Sequence, residues 1–196
     1  MHSPATKIYL IRHGQTEWTL TGQHTGKTNL PLTEEGEIQS QQLAKQLKGH
    51  TFKKIWVSPL KRAQQTCEYA GLSRHAEIDP DLAEWDYGDY EGLTSNEIRK
   101  SNPHWNIFLR GAPNGESIED ISVRTNRILM NIHAIHGDIA IFSHGHFLRA
   151  LTAKWLKLQI ANGNLFVLEP ASISILGYEK DHPALVLWNN TTHLAK

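Results

Sequence analysis

The sequence has a single cysteine, Cys67, among 196 residues. One thiol cannot form an internal disulfide, which excludes the stapled frameworks of small secreted domains. An excess of either charge is also absent: 20 Lys and Arg balance 20 Asp and Glu, a formal net charge of zero with His neutral. Such a chain carries no general field for nucleic acid or an acidic membrane surface, and only a local basic pocket stays open. Long apolar runs are missing. None approaches membrane-spanning length, and the one in MHSPATKIYLIRHG is too short for a signal peptide. Repeats, low-complexity tracts and linkers are missing too. These absences point to one domain over residues 1–196 with an ordinary core, cytoplasmic and without a membrane or nucleic-acid partner. Two glycosylation-type triplets in NNTT carry little weight without a secretion signal.

The stretch GQHTGKT (22–28) resembles a nucleotide-binding P-loop. That loop needs four residues between its glycines, a strand before it and a helix after it. Here only three residues separate Gly22 from Gly26, TLT precedes, and NLPLT with Pro31 follows. The nucleotide reading is set aside, and the question of a phosphate site stays open.

Apolar periodicity and cap residues divide the chain into alternating elements. KIYLI (7–11), KIWV (54–57) and IAIF (139–142) read as buried strands. Helices are expected over 33–49, capped by Thr33 and closed by Gly49, and over 60–71, closed by Gly71. A short helix is expected over SNEIRK and a long one over 117–137. In the latter, Ser117 and Asp120 resemble a capping box and Ile121, Ile128, Ile132 and Ile135 share a face. Another helix follows at FLRALTAKWLKL, and LFVL, SISILGY and LVLW read as late strands. This order is that of an α/β fold: a mostly parallel central sheet with helices on both faces. Ligands bind such sheets at the carboxyl ends of the strands.

Three strand ends carry polar clusters: Arg12-His13-Gly14-Gln15-Thr16, then Ser58-Pro59 with Lys61 and Arg62, then Ser143-His144-Gly145-His146. Arginines and histidines converging on one crevice repel one another unless an anion fills it. The arginine fork matches phosphate oxygens, and helix N-termini add donors. The pattern therefore implies a phosphate pocket. His144 and His146 have zinc-type spacing, but further ligands are lacking. Cys67 does not fit a thiol phosphatase, because the arginine that chemistry needs is replaced by Ser73, with Arg74 one place late; a structural core thiol is the simpler reading. The acidic stretch DLAEWDYGDYEG (81–92) offers Asp81, Glu84, Asp86, Asp89 and Glu91, one of which could protonate a leaving oxygen. Spacing alone does not choose among them.

RHG after the first strand, Arg62 in SPLKRAQQT, Glu84 in LAEWDYGDYEG and SHGH after a late strand, in that order, resemble the histidine phosphatase superfamily, which includes cofactor-dependent phosphoglycerate mutase. The resemblance implies a phosphoglycerate mutase-like fold and phosphomonoester hydrolysis on a small phosphorylated metabolite, with no cofactor or metal. By the same likeness His13 is the nucleophile. Arg12, Arg62 and His144 surround the phosphoryl group, and Glu84 is the acid and then the base. Thr16, Thr25, Gly26, Tyr87, Gly145 and His146 are expected to line the pocket, with Trp18, Trp85 and Trp105 shaping its mouth. GQHTG, EWDYGDYEG and HGHFLRA look most like the branch containing a sedoheptulose-1,7-bisphosphatase. The sequence departs from the pattern at Thr19, where many relatives have Asn. It departs again at Trp85, where mutases have Arg, and at Leu109, where the branch often has Arg and this chain carries Arg110 one place later. The short chain and Trp85 favour hydrolysis over mutase activity. A silent phosphate-binding domain is disfavoured because all five catalytic positions are filled. Homo-oligomerisation is left open.

Overall fold

The computed structural model describes residues 6–194. Six strands form one sheet in the order β3-β2-β4-β1-β5-β6: β1 (Ile8–Arg12), β2 (Lys54–Val57), β3 (Ala76–Ile78), β4 (Ile139–Ser143), β5 (Ile173–Glu179) and β6 (His182–Asn190). The β1–β4, β2–β4 and β2–β3 pairings are parallel, and the β1–β5 and β5–β6 pairings are antiparallel. The sheet is thus mostly parallel, and an antiparallel hairpin completes one edge.

Helices cover both faces. Alternate strand residues point to opposite sides, so Ile8, Leu10, Ile139 and Ile141 pack with α6 (Ile118–His133) and α7 (Gly145–Trp155). Tyr9, Ile11, Ala140 and Phe142 pack with α2 (Glu34–Leu47) and α3 (Lys61–Tyr69). Burial on both faces explains why β1 and β4 read as unbroken apolar runs. Each such Ile or Leu stabilises the fold by about 1.5–3 kcal/mol when fully buried.

The helices follow their sequence signals. Thr33 accepts the Gly36 N–H at the start of α2, which then buries Gly36, Ser40, Leu43 and Leu47 on one face. Ser117 and Asp120 make a reciprocal capping box on α6. Gly36 lets α2 press against the loop after β1: a Cβ there would lie 2.1 Å from the Gln15 carbonyl oxygen. A third cluster, with Trp85, Tyr87, Trp105, Phe108 and Ile98, caps the carboxyl end of the sheet. It includes α4 (Ser95–Ser101) and α5 (Ile107–Arg110).

Three features differ from the sequence expectation. LFVL is not a strand: a 3-10 helix spans Ile160–Leu165 and the chain then crosses the strand ends unpaired. Strand β3 is only three residues long, with no apolar run to announce it. A short helix, α1 (Glu17–Thr21), fills the polar segment after RHGQT, with Thr16 and Thr19 forming its capping box.

Candidate active site

Parallel register brings the strand ends together. Arg12, the last residue of β1, lies opposite Ser143, the last of β4. The His13 N–H donates to the Ser143 carbonyl and the Ser58 N–H to the Phe142 carbonyl, both at 3.0 Å. The loops after β1, β2 and β4 are thereby fixed side by side. A pocket of about 180 Å³ opens there, lined by Arg12, His13, Thr25, Glu84, Tyr87, Gly145 and His146, and also by Trp18, Thr19, Gln23, His24, Arg149 and Leu168.

His13 is buried, and its Nδ1 lies 2.7 Å from the Gly14 carbonyl oxygen. A carbonyl only accepts, so Nδ1 carries the proton and Nε2 keeps its lone pair. Burial, then Arg62 and Arg12, push the imidazole pKa well below 6.5. The ring is neutral at neutral pH, the form a nucleophile needs.

Behind His13 stands His144, with ring centroids 5.1 Å apart. The Arg62 Nε–H donates to His144 Nδ1 at 3.1 Å, which leaves the proton on Nε2, donated to Ser58 Oγ at 2.7 Å. Both ring nitrogens of His144 are therefore engaged within the protein, which argues against a His144–His146 metal pair. Burial and then Arg62 keep this ring neutral as well.

Arg62 is fully buried. Its Nη atoms donate to the carbonyls of Thr28, Thr25 and Gly26 at 3.0, 2.9 and 3.1 Å. Burial lowers its pKa to about 10, so it stays charged at neutral pH. Arg12 donates through Nη1 to the Leu168 carbonyl, and its Nε is buried without a partner among the described residues. Gly145 lies against this side chain: a Cβ there would stand in ordinary contact with Arg12 Nε, at 3.4 Å.

The Glu84 carboxylate lies at the amino end of α7. It accepts the N–H groups of Trp85 (2.9 Å), His146 (3.0 Å) and Phe147 (2.9 Å). These three bonds fix the orientation of the Glu84 carboxyl group at the pocket wall. The loop bearing Glu84 is tied from outside by Arg124. This arginine donates to the carbonyls of Asp81 and Ala83 and to the Glu116 carboxylate, which in turn accepts the Asp86 N–H. Tyr87 hydroxyl pairs with His146 Nδ1. Burial raises the phenol pKa well above 10, so the hydroxyl keeps its proton beside this ring.

The sequence-derived residues fall into three groups. His13, Arg12, Glu84, Thr25, Tyr87, Gly145 and His146 line the pocket. Arg62 and His144 are not on its wall: His144 packs on His13, and Arg62 is bonded to His144. Thr16 and Gly26 are not on the wall. Thr16 is consumed capping α1, and the Gly26 N–H is taken by Glu91 at 2.9 Å. Trp18 lines the pocket, whereas Trp85 is a core residue whose indole N–H donates to the Glu116 carbonyl. Lys27 is exposed and ion-paired with Asp86 at 2.5 Å. His24 and Arg149 line the pocket and were missed. The HGHFLRA segment placed Arg149 in α7, but only the helix phase shows that it turns towards the site.

Among known proteins, the model of the histidine phosphatase superfamily (branch 1) matches residues 8–191. An acid phosphatase of Mycobacterium tuberculosis is 39% identical over 192 residues, covering 95% of this chain and 94% of that protein. A sedoheptulose 1,7-bisphosphatase of Saccharomyces cerevisiae is 36% identical, covering 82% and 71%. The solved structure of a phosphoserine phosphatase from Entamoeba histolytica, in complex with 3-phosphoglyceric acid, superposes with a TM-score of 0.84 at 29% identity, covering 97% of this chain and 100% of that one. With its RHG, arginine, glutamate and SHGH segments gathered at the carboxyl ends of three parallel strands, the chain belongs to the histidine phosphatase superfamily.

Proposed function

We propose that the protein hydrolyses small sugar phosphates through a phosphohistidine on His13. The observation that carries this reading is the His13 Nδ1–H bond to the Gly14 carbonyl, which leaves Nε2 as a lone pair in a pocket bordered by Arg12 and Glu84. Nε2 attacks phosphorus and the bond to the ester oxygen breaks. Glu84, as the acid, gives that oxygen its proton. Arg12 lies in the pocket with an unpartnered Nε–H, and Arg62 adds positive charge from behind; both offset the charge on the transferring group. Water then attacks the phosphohistidine while Glu84 takes its proton, and orthophosphate leaves with His13 restored. His144 holds Arg62 in place through Nδ1 and adds no charge of its own.

The test is phosphate release from a panel of sugar mono- and bisphosphates, with EDTA present, by wild type and His13→Ala. Turnover by wild type and its loss in the variant are expected. No turnover on any ester, or activity that survives His13→Ala, overturns the reading, and efficient interconversion of 2- and 3-phosphoglycerate replaces it with mutase chemistry.

A further inference from the structure

The residue after His13 is a glycine, and its carbonyl oxygen accepts the Nδ1 proton of the His13 ring. Glycine leaves the backbone torsions free. The aim of that carbonyl is therefore set by contacts from outside the loop.

Two helices supply them. A Cβ on Gly14 would stand 2.5 Å from the Gly36 carbonyl oxygen and 2.8 Å from Ser40 Oγ, both on α2. The close approach of α2 thus demands glycine here and brings its conformational freedom with it. From α3, Thr66 reaches the same residue: the Gly14 N–H donates to Thr66 Oγ1 at 3.0 Å. Thr66 is fully buried. Its hydroxyl lies 2.7 Å from the Arg62 carbonyl oxygen, which only accepts. The hydroxyl proton goes there, and a lone pair is left for Gly14. Ser40 does not compete, because its hydroxyl donates to the Gly36 carbonyl at 2.6 Å and lies 3.5 Å from Thr66 Oγ1.

The other side of the same peptide is fastened as well. The His13 carbonyl accepts the Ala171 N–H at 3.0 Å. Because the peptide is planar, turning it breaks a bond on one side or the other. The next peptide, which carries the Gly14 carbonyl, is tied through the Gln15 N–H to Gln39 Oε1 at 3.1 Å, but Gln39 is only half-buried. Thr66 is the fully buried side chain that anchors this segment. It stands one turn from Arg62, so α3 both brings charge to the site and sets the backbone behind the nucleophile.

We propose that Thr66 is a positioning residue for the reaction: by accepting the Gly14 N–H it aims the Gly14 carbonyl at Nδ1 and keeps His13 Nε2 turned to the phosphoryl group. Thr66 itself touches no substrate. The kinetic consequence rests on the phosphatase reading, whereas the state of the ring can be read without any substrate.

Thr66→Val keeps the shape of the side chain and removes the acceptor. A fall in kcat of about tenfold to a hundredfold is expected, the effect of a small misplacement of a reacting group, with KM changed by no more than about twofold because the pocket-lining side chains are untouched. Long-range ¹H–¹⁵N spectra of protein labelled at histidine report the tautomer, with the His13 signals assigned by their absence from His13→Ala. The Nδ1-protonated form of wild type should give way in part to the Nε2-protonated form in Thr66→Val. Thr66→Ser, which keeps the hydroxyl, should retain both kcat and tautomer. Thr152→Val makes the same exchange on α7, where the buried hydroxyl donates to the Leu148 carbonyl at 2.8 Å. It should lose stability and keep both readouts. If Thr66→Val does not fold, Thr66→Ala against Thr66→Ser makes the same comparison. Wild-type kcat and tautomer in Thr66→Val, an equal fall in kcat in Thr152→Val, or no retention by Thr66→Ser overturns the positioning role and leaves the phosphatase reading intact. Absence of turnover by wild type overturns the phosphatase reading, and the spectra still decide what Thr66 does to the ring.

Discussion

Arg62 and Glu91 hold the same turn from opposite sides. Arg62 donates to the carbonyls of Thr25, Gly26 and Thr28, while the Glu91 carboxylate accepts the N–H groups of Gly26 and Thr28, each at 2.9 Å. The P-loop-like stretch GQHTGKT thus spends its backbone groups on two protein side chains rather than on a nucleotide. Its function is to position the buried arginine that in turn fixes His144. Glu91→Ala removes two charge-assisted bonds, each worth about 1.5–3 kcal/mol. We expect a loss of about 2 kcal/mol in urea unfolding after relaxation of the turn, and a fall in kcat of roughly tenfold or more as Arg62 shifts. Glu91→Gln, which keeps one acceptor, should lie between. Kinetics identical across all three proteins would leave Glu91 a surface residue.

The proposed role of Glu84 predicts a dependence on the leaving group. Glu84→Gln removes the proton donor, and general acid catalysis contributes typically about 10²–10⁴-fold. The loss in kcat should approach that range for an alkyl phosphate such as a sugar phosphate. It should be far smaller for p-nitrophenyl phosphate, whose leaving oxygen needs no proton. The same variant places an amide NH₂ against N–H donors at the start of α7, so some stability is lost as well. Equal losses on both substrates would remove Glu84 from the acid role.

Acid should weaken the fold. His13, His144 and His146 are buried and neutral with pKa values well below 6.5, and His24 lies at about 4. Unfolded, each returns to about 6.5 and binds its proton more readily. The unfolded chain therefore holds more protons below pH 6.5, and stability falls as pH drops through 6.5 towards each folded value, while it is complete above 6.5. Each histidine contributes a slope of about 1.4 kcal/mol per pH unit inside its window. Urea midpoints measured at pH 7.5 and 5 should differ accordingly. A midpoint that is flat or rises on acidification would contradict buried neutral histidines.

What the sequence made legible follows from how local each signal is. Arg12, His13 and His144 were readable because three apolar runs each end in a polar cluster, and parallel register brings such ends together. Thr33 and the Ser117–Asp120 capping box gave the starts of α2 and α6. Thr16 and Gly26 lie off the pocket wall for different reasons, one local and one not. Gly26 answers to Glu91, 65 residues away, and Thr16 to a short helix without an apolar face. LFVL looks like a strand, but β1 already pairs with β5 and β5 with β6, so the segment crosses the strand ends instead. There Leu168 gives its carbonyl to Arg12, and Val167 gives its own to the Trp188 indole. Arg149 escaped notice because its role depends on which face of α7 meets the cap, a matter of packing rather than of motif.

The most direct test of a phospho-His13 pathway is a rapid-quench single-turnover experiment with excess enzyme, a fast alkaline quench, and peptide mass spectrometry. One phosphoryl group on the peptide containing His13, attached to Nε2, stable to alkali and lost in acid, is expected to rise and decay within a single turnover. Product release with no phosphorylated histidine under these conditions, or a phosphoryl group on another residue, would contradict it.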